Sequence, residues 1–187
     1  MNFSRSNIGP LVKQAELLVG ILKAAGYDAN IVGGALRVIA VGGETSDIDI
    51  AVICSKQEYH LLKKDLGILF HTLGINFDVV HEQVYKSSVG FLADWRCGPI
   101  NIIAYDSALY PNVKTLVQGF DFNFNMYLQG ASGLYNVSPV GTGYVWINTN
   151  IASHHNIDRI KTERLPRFRS MLGHLDWSKV NDCTRTY

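Results

Sequence analysis

The stretch Thr45-Ser46-Asp47-Ile48-Asp49-Ile50-Ala51-Val52-Ile53 constrains this chain more than any other. It opens with acids and isoleucines in alternation and ends wholly apolar. On a strand, successive side chains point to opposite faces, so alternation marks a half-covered segment and a continuous apolar run marks one covered on both sides. The stretch therefore predicts a buried strand with a polar beginning, in a domain with layers above and below its sheet. Such a sheet needs a core. The 187 residues, 47% hydrophobic and 18% charged, supply one for a single ordinary domain and exclude a disordered chain.

The flanking patterns agree with layered packing. Leu11, Ala15, Leu18, Leu22 and Ala25 recur at spacings of three and four, which predicts an amphipathic helix stopped by Gly26. Asp28 to Val32 reads as a short strand ending on the turn Gly33-Gly34. Ser55 caps a second helix with the apolar face Tyr59, Leu62, Leu66, Leu69 and Leu73. Strands are expected at Asn76 to Val80, Val84 to Leu92 and Pro99 to Tyr105, and a short helix at Val113 to Val117. The Gly-, Ser-, Asn- and Pro-rich run from Gly130 to Gly143 is expected to be loop, with a last strand at Tyr144 to Ile147. From about Asn156 the chain is polar and basic, and its helical pattern breaks at Leu165-Pro166. Strands interleaved with helices make the fold class α/β or α+β, with a mixed sheet flanked by helices. The expected organisation is a main domain over residues 1–150 and a short, basic, partly helical extension over 151–187.

Charge supports that division. Residues 1–150 carry ten Lys+Arg and twelve Asp+Glu, a balance of −2, and residues 151–187 carry seven and four, a balance of +3. The near-neutral total of +1 excludes a strongly basic nucleic-acid coat protein or an acidic tail protein, and leaves room for a local basic patch. Cys54, Cys97 and Cys183 are odd in number and widely spaced, which argues against a disulfide framework or a structural zinc site. The polar N-terminus lacks the apolar stretch of a signal peptide, and no run approaches the roughly 20 apolar residues of a membrane span. The expectation is a soluble, cytoplasmic protein with no membrane partner.

Asp47 and Asp49 are the candidate catalytic and metal-binding residues. Two apart on a strand, they project from the same face, where two unpaired carboxylates repel. A hard divalent cation, Mg²⁺ or Mn²⁺, relieves the repulsion, and Mg²⁺ is commonly held by one or two carboxylates together with substrate phosphates. Gly33-Gly34 lets backbone N–H groups approach a phosphate closely, and Arg37, in the first turn of a following helix, can reach the same anion. No phosphate-loop lysine motif, GxSxG elbow or HExxH helix occurs. The adjacent His154 and His155 read as an exposed pair. Arg159, Lys161, Arg164, Arg167 and Arg169 form a basic cluster able to contact a phosphate backbone.

This order and spacing resembles the DNA polymerase β-like nucleotidyltransferase superfamily, above all the head domain of the class II tRNA CCA-adding enzymes and bacterial poly(A) polymerases. That family carries GGxxRD, a spacer and DxD. Here Gly33-Gly34-Ala35-Leu36-Arg37-Val38 precedes Asp47-Ile48-Asp49, with Val38 in place of the family's Asp. A second segment of the family, RDFTIN, is similar to Phe120-Asp121-Phe122-Asn123-Phe124-Asn125, with Phe120 replacing the Arg. A third, EDxxR, is similar to Glu163-Arg164-Leu165-Pro166-Arg167, with Arg164 replacing the Asp.

The resemblance implies a nucleoside triphosphate substrate and two Mg²⁺ ions held by Asp47 and Asp49. It implies that Gly33 and Gly34 bind the triphosphate, that Asp121 and Asn125 touch the nucleotide sugar and that Arg167 meets the base. The superfamily often adds a third acid on a neighbouring strand, where this chain has Asn101, whose carbonyl can ligate a metal but cannot take a proton. Asp94, Asp106 and Asp121 are the candidate acids for its place. The implied activity is transfer of a nucleoside monophosphate to an acceptor hydroxyl, favouring an RNA 3′ end or a tRNA, with release of pyrophosphate. The alternative is a nucleotidyltransferase fold that binds nucleotide or RNA without turnover. The compact chain also resembles stand-alone phage and toxin-type nucleotidyltransferases in style.

Overall fold

A computed structural model describes residues 9–40, 43, 45–74, 81–84, 90–130, 133–148, 163–178 and 180, with backbone alone for 81–84. The elements in chain order are α1 (Pro10–Ala24), β1 (Asp28–Val32), α2 (Gly34–Ala40), β2 (Ile48–Cys54), α3 (Tyr59–Thr72), β3 (His81–Val84), β4 (Phe91–Cys97), β5 (Ile100–Asp106), α4 (Val113–Gln118), β6 (Tyr127–Gly130), β7 (Gly133–Asn136) and α5 (Leu165–Met171). Five strands form one sheet in the order β1-β2-β5-β4-β3, and β6 and β7 pair as a hairpin. Strands β2 and β5 run parallel, and the other neighbours run antiparallel. The sheet is therefore mixed, as the sequence implied, with the acid-bearing strand β2 between β1 and β5.

Period-two alternation assigns the two faces. Ala29 and Ile31, Ile48, Ile50 and Val52, Ile100, Ile102 and Ala104, and Ala93 and Trp95 share one buried cluster with Leu18 and Leu22 of α1 and Leu62, Leu66 and Phe70 of α3. This back face is almost wholly hydrocarbon. The opposite face holds Val32, Ala51, Ile53 and Tyr105 against Val113, Leu116 and Val117 of α4 and Met126 and Leu128 at the hairpin. At one end of that front face the same alternation turns Asp49, Asn101 and Arg96 outward, for they are register partners across β2, β5 and β4. A third cluster joins Phe122 and Phe124 to Val145, Ile147 and Phe168, so helix α5 packs against the chain around residue 122.

Several elements differ from the sequence expectations. The strand expected over Val84 to Leu92 is interrupted, because Gly90 has φ +82 and β4 begins only at Phe91. A Cβ at Gly90 would lie 2.3 Å from the Tyr110 ring, so only glycine fits there. Strand β4 escaped the pattern because the buried Asp94 interrupts its apolar alternation. Within the expected loop from Gly130 to Gly143, Gly133–Asn136 pairs with Tyr127–Gly130, and Leu128 anchors the hairpin in the front core. The expected strand at Tyr144 to Ile147 is a single bridge, Ile147 to Phe122. Pro166 does not break a helix but sits in the first turn of α5, where its missing N–H costs nothing. The strand expected at Asn76 to Val80 lies outside the described residues. No helix among the described residues is long and apolar enough to cross a membrane.

Candidate functional site

The end of β1 and the start of β2 meet on the front face. Val32 is the register partner of Asp49, so the turn that follows β1 lies beside that carboxylate. Gly33 makes this turn with φ +77, a left-handed conformation that glycine adopts without strain. A Cβ at residue 33 would sit 3.4 Å from Asp49 Oδ2, so backbone and carboxylate are in close approach. Helix α2 starts at Gly34, and the Arg37 guanidinium folds back so that a Cβ at residue 34 would meet its Nη2 at 3.3 Å. Asp47 is exposed, and its main-chain carbonyl accepts from Thr45 Oγ1 at 2.7 Å.

Asp49 is half-buried, and that burial pushes its carboxyl above the usual carboxylate range. The Asn101 amide opposes the rise by donating to Asp49 Oδ1 at 3.2 Å, while the charge of Asp47 adds to it and that of Arg96 offsets it. Asn101 Oδ1 is buried with no hydrogen-bond partner among the described residues. Asp49 is thus partly desolvated and lies within the field of the exposed Asp47, with a spare carbonyl oxygen beside it. That set of hard oxygen donors fits a divalent cation. Among the described residues no third His, Cys, Asp or Glu joins them in a metal-binding group. Asp106 lies at the far end of β5, opposite Cys54, and Asp94 lies two residues beyond Arg96 on β4.

Beyond Arg37 the front face carries a second, connected arrangement. Arg37 Nη1 donates to Asn125 Oδ1, Asn125 Nδ2 donates to Asp121 Oδ1 at 3.5 Å, and Arg164 Nη1 donates to Asp121 Oδ2. Phe168 of α5 lies under both guanidiniums, with Arg37 Cζ 5.0 Å and Arg164 Cζ 5.6 Å from its ring centroid. Phe122 and Phe124 stack at 4.8 Å, and each meets Phe168 edge-on. Phe120 packs apart from them, against the front core with α4.

Burial lowers the Arg37 pKa, the positive charges of Arg167 and Arg164 lower it further, and Asp121 alone partly offsets them. Burial raises the Asp121 carboxyl, against the pull of Arg164 and Asn125. Arg37 and Arg164 both draw on the Asp121 carboxylate, and Arg167 adds positive charge near Arg37, a setting that favours an anionic guest.

The structure thus gathers Gly33, Gly34, Asp49 and Asn101 in one group, while Asp47, expected on the strand, lies exposed just ahead of β2 and acts on Asp49 through its charge. Arg37 links that group to Asn125 and Asp121, and the exposed Arg167 acts on it through charge. Sequence reasoning missed Phe168 as the platform under the two arginines, and Arg164 as the partner of Asp121. Only the helical spacing of Arg164 and Phe168 hinted that they share a face. The other residue it passed over is Arg96, whose alternation with Asp94 placed both on the side of Asn101.

Comparison with known proteins bears on the fold. The CC-adding tRNA nucleotidyltransferase of Halalkalibacterium halodurans is 26% identical over 171 residues, which cover 87% of this chain and 40% of that enzyme. A solved structure described as a tRNA-processing enzyme in apo form aligns with a TM-score of 0.62 at 18% identity, over 98% of this chain and 47% of the other. A CCA-adding enzyme in complex with CTP aligns at 0.59 and 18% identity, over 89% of this chain and 40% of its own. No family model matches the sequence. The chain spans less than half the length of these relatives. It has the mixed α/β fold they share, and its similarity to the head region of nucleotidyltransferases agrees with the motifs that first pointed there.

Proposed function

We propose that this chain is a metal-dependent nucleotidyltransferase that moves a nucleoside monophosphate from a nucleoside triphosphate to an acceptor hydroxyl and releases pyrophosphate. The observation that carries this reading is the approach of the Gly33 turn to Asp49 on one side of β2, with the Arg37 guanidinium folded over Gly34. It joins a glycine turn, a carboxylate pair and a guanidinium, which phosphoryl transfer requires together and a structural turn does not. An RNA 3′ end or a tRNA is the favoured acceptor, in line with the tRNA-directed relative.

Asp47 and Asp49 would hold one or two Mg²⁺ or Mn²⁺ ions, with Asn101 Oδ1 as a neutral third donor. Divalent cations in such a site neutralise phosphate charge and stabilise the entering and leaving oxygens. The backbone N–H groups of Gly33 and Gly34 and the guanidinium of Arg37 bind the triphosphate and fix the direction in which pyrophosphate leaves. Asp121 and Asn125, linked to Arg37, face the nucleoside sugar, and Arg167 stands at the base. The acceptor oxygen forms a bond to the α-phosphorus as the bond to pyrophosphate breaks. Asn101 is neutral and takes no proton, so the hydroxyl proton passes to water at the exposed edge beside Asp47.

The test is incubation with each α-labelled nucleoside triphosphate, Mg²⁺ or Mn²⁺, and RNA. Label is expected at the RNA 3′ end, and it is expected to be lost with EDTA and in the Asp47→Ala/Asp49→Ala variant. Label transfer that survives in that variant removes this mechanism. Asn101 in place of a third acid favours a second reading, a module that binds nucleotide without turnover. Metal-dependent nucleotide binding with no transfer to any acceptor would establish it.

A further inference from the structure

On the side of Asp49 away from Gly33, the row of register partners continues through Asn101 to Arg96. Two inter-strand spacings of about 4.8 Å separate the Arg96 backbone from that of Asp49, a distance an arginine side chain spans in large part. At that separation the positive charge of Arg96 offsets part of the rise that burial gives the Asp49 carboxyl. Arg96 is not a loose surface arginine. Its Nε donates at 3.1 Å to Oδ2 of Asp94, whose side chain is only 4% exposed, while 63% of the Arg96 side chain is exposed. A carboxylate so deeply buried needs a partner, and its other oxygen accepts no hydrogen bond among the described residues. Asp94 therefore holds Arg96 by the inner nitrogen. The two outer nitrogens of the fork have no partner among the described residues.

We infer that Arg96, positioned by Asp94, binds the last phosphodiester of a polynucleotide acceptor. The inference rests on the nucleotidyltransferase reading and names the acceptor class within it. In an in-line displacement the attacking and leaving oxygens lie on opposite sides of the phosphorus. Pyrophosphate leaves toward Gly33, Gly34 and Arg37, on the β1 side of Asp49. The hydroxyl therefore enters from the β5 and β4 side, where Asn101 and Arg96 stand. A preorganised cation at that place has a use when the group bearing the hydroxyl carries a phosphodiester next to it. For an uncharged alcohol the outer nitrogens of the fork have no anion to meet. A bidentate fork suits phosphate oxygens better than a lone ammonium does.

The test compares binding of two short single-stranded RNAs with free 3′ hydroxyls, one all-phosphodiester and one with a methylphosphonate at the last linkage. Fluorescence anisotropy is read without nucleotide, so no turnover is needed. The wild-type chain is expected to prefer the charged RNA by roughly three- to fivefold, the scale of one exposed charge pair. Arg96→Gln is expected to abolish the preference and Arg96→Lys to keep part of it, with thermal melts confirming that both variants fold. With each variant, steady-state transfer is expected to show a raised KM for RNA, with kcat and the KM for nucleoside triphosphate unchanged. Equal binding of the two RNAs by the wild type, or an undiminished preference in Arg96→Gln, overturns the inference. A raised KM for nucleoside triphosphate alone assigns Arg96 to the triphosphate and also overturns it, as does transfer to a protein or small-molecule hydroxyl that ignores Arg96→Gln. If the RNA preference depends on Arg96 while no label is transferred, the enzymatic reading fails and the phosphodiester site stands.

Discussion

The two faces of the central sheet use the same strands and teach opposite lessons. On the back face, Ile50, Ile102 and Trp95 alternate inward against α1 and α3, and each is completely buried. On the front face, the residues beside them in sequence carry the polar groups: Asp49, Asn101, Arg96 and Asp94. Those front residues are polar groups held in two pairs, Asn101 on Asp49 and Arg96 on Asp94, and their placement rests on the hydrocarbon behind them. A sheet with only the front chemistry would not hold its register, and one with only the back packing would have nothing to react with. If this division is real, substitutions on the two faces separate cleanly into effects on folding and effects on activity.

The largest effect belongs to the back. Phe70 is 0% exposed, and Phe70→Ala is expected to cost about 3–5 kcal/mol in denaturant unfolding while kcat per folded molecule stays the same. Lost activity without lost stability would break the division at once. On the front, Asp47→Ala/Asp49→Ala is expected to lower transfer by more than about 10²-fold, the upper range for loss of groups that only support metal ligands. Its melting temperature should hold or rise, because a repulsive pair is removed.

Gly33→Ala sharpens the boundary between the two. A left-handed backbone costs a side-chain residue about 1–2 kcal/mol, and relief of that strain moves the turn beside Asp49, so stability and transfer should fall together. Phe168→Leu keeps most of the apolar volume but removes the ring under Arg37 and Arg164. A loss of about 0.5–1 kcal/mol per contact should appear as a raised KM for nucleoside triphosphate with a small change in stability. The smallest test reads how dry the back face is. Burial, aided by the charges of Glu58 and Asp106, pushes the Cys54 thiol up to about 12, so iodoacetamide at pH 8 should leave it unmodified until the protein unfolds.

The same contrast explains what the sequence made legible. The back face obeys local periodicity, and Leu62, Leu66 and the strand from Ile48 to Cys54 could be placed by counting. Asp47, Asp49, Gly33 and Gly34 were legible as a group because a turn and a strand start lie close in sequence. The remainder of the front face was not, because it is assembled over long separations. Arg37 meets Asn125 across 88 residues, and Arg164 meets Asp121 across 43. No periodicity encodes such pairings. Strand β4 escaped for a different reason: its buried Asp94 is tolerated only because Arg96 neutralises it, and a hydropathy pattern does not register that compensation. The hairpin of β6 and β7 was hidden by glycines, which mark a tight turn between strands as readily as a loop.

The central claim is that the front of β2 is where metal and triphosphate meet. Diffraction from crystals soaked with Mg²⁺ and a non-hydrolysable nucleoside triphosphate tests it most directly. Metal density is expected between the carboxylates of Asp47 and Asp49, and phosphate density against the backbone of Gly33 and Gly34, within reach of Arg37. A triphosphate bound elsewhere, with Asp47 and Asp49 free of metal, would contradict it.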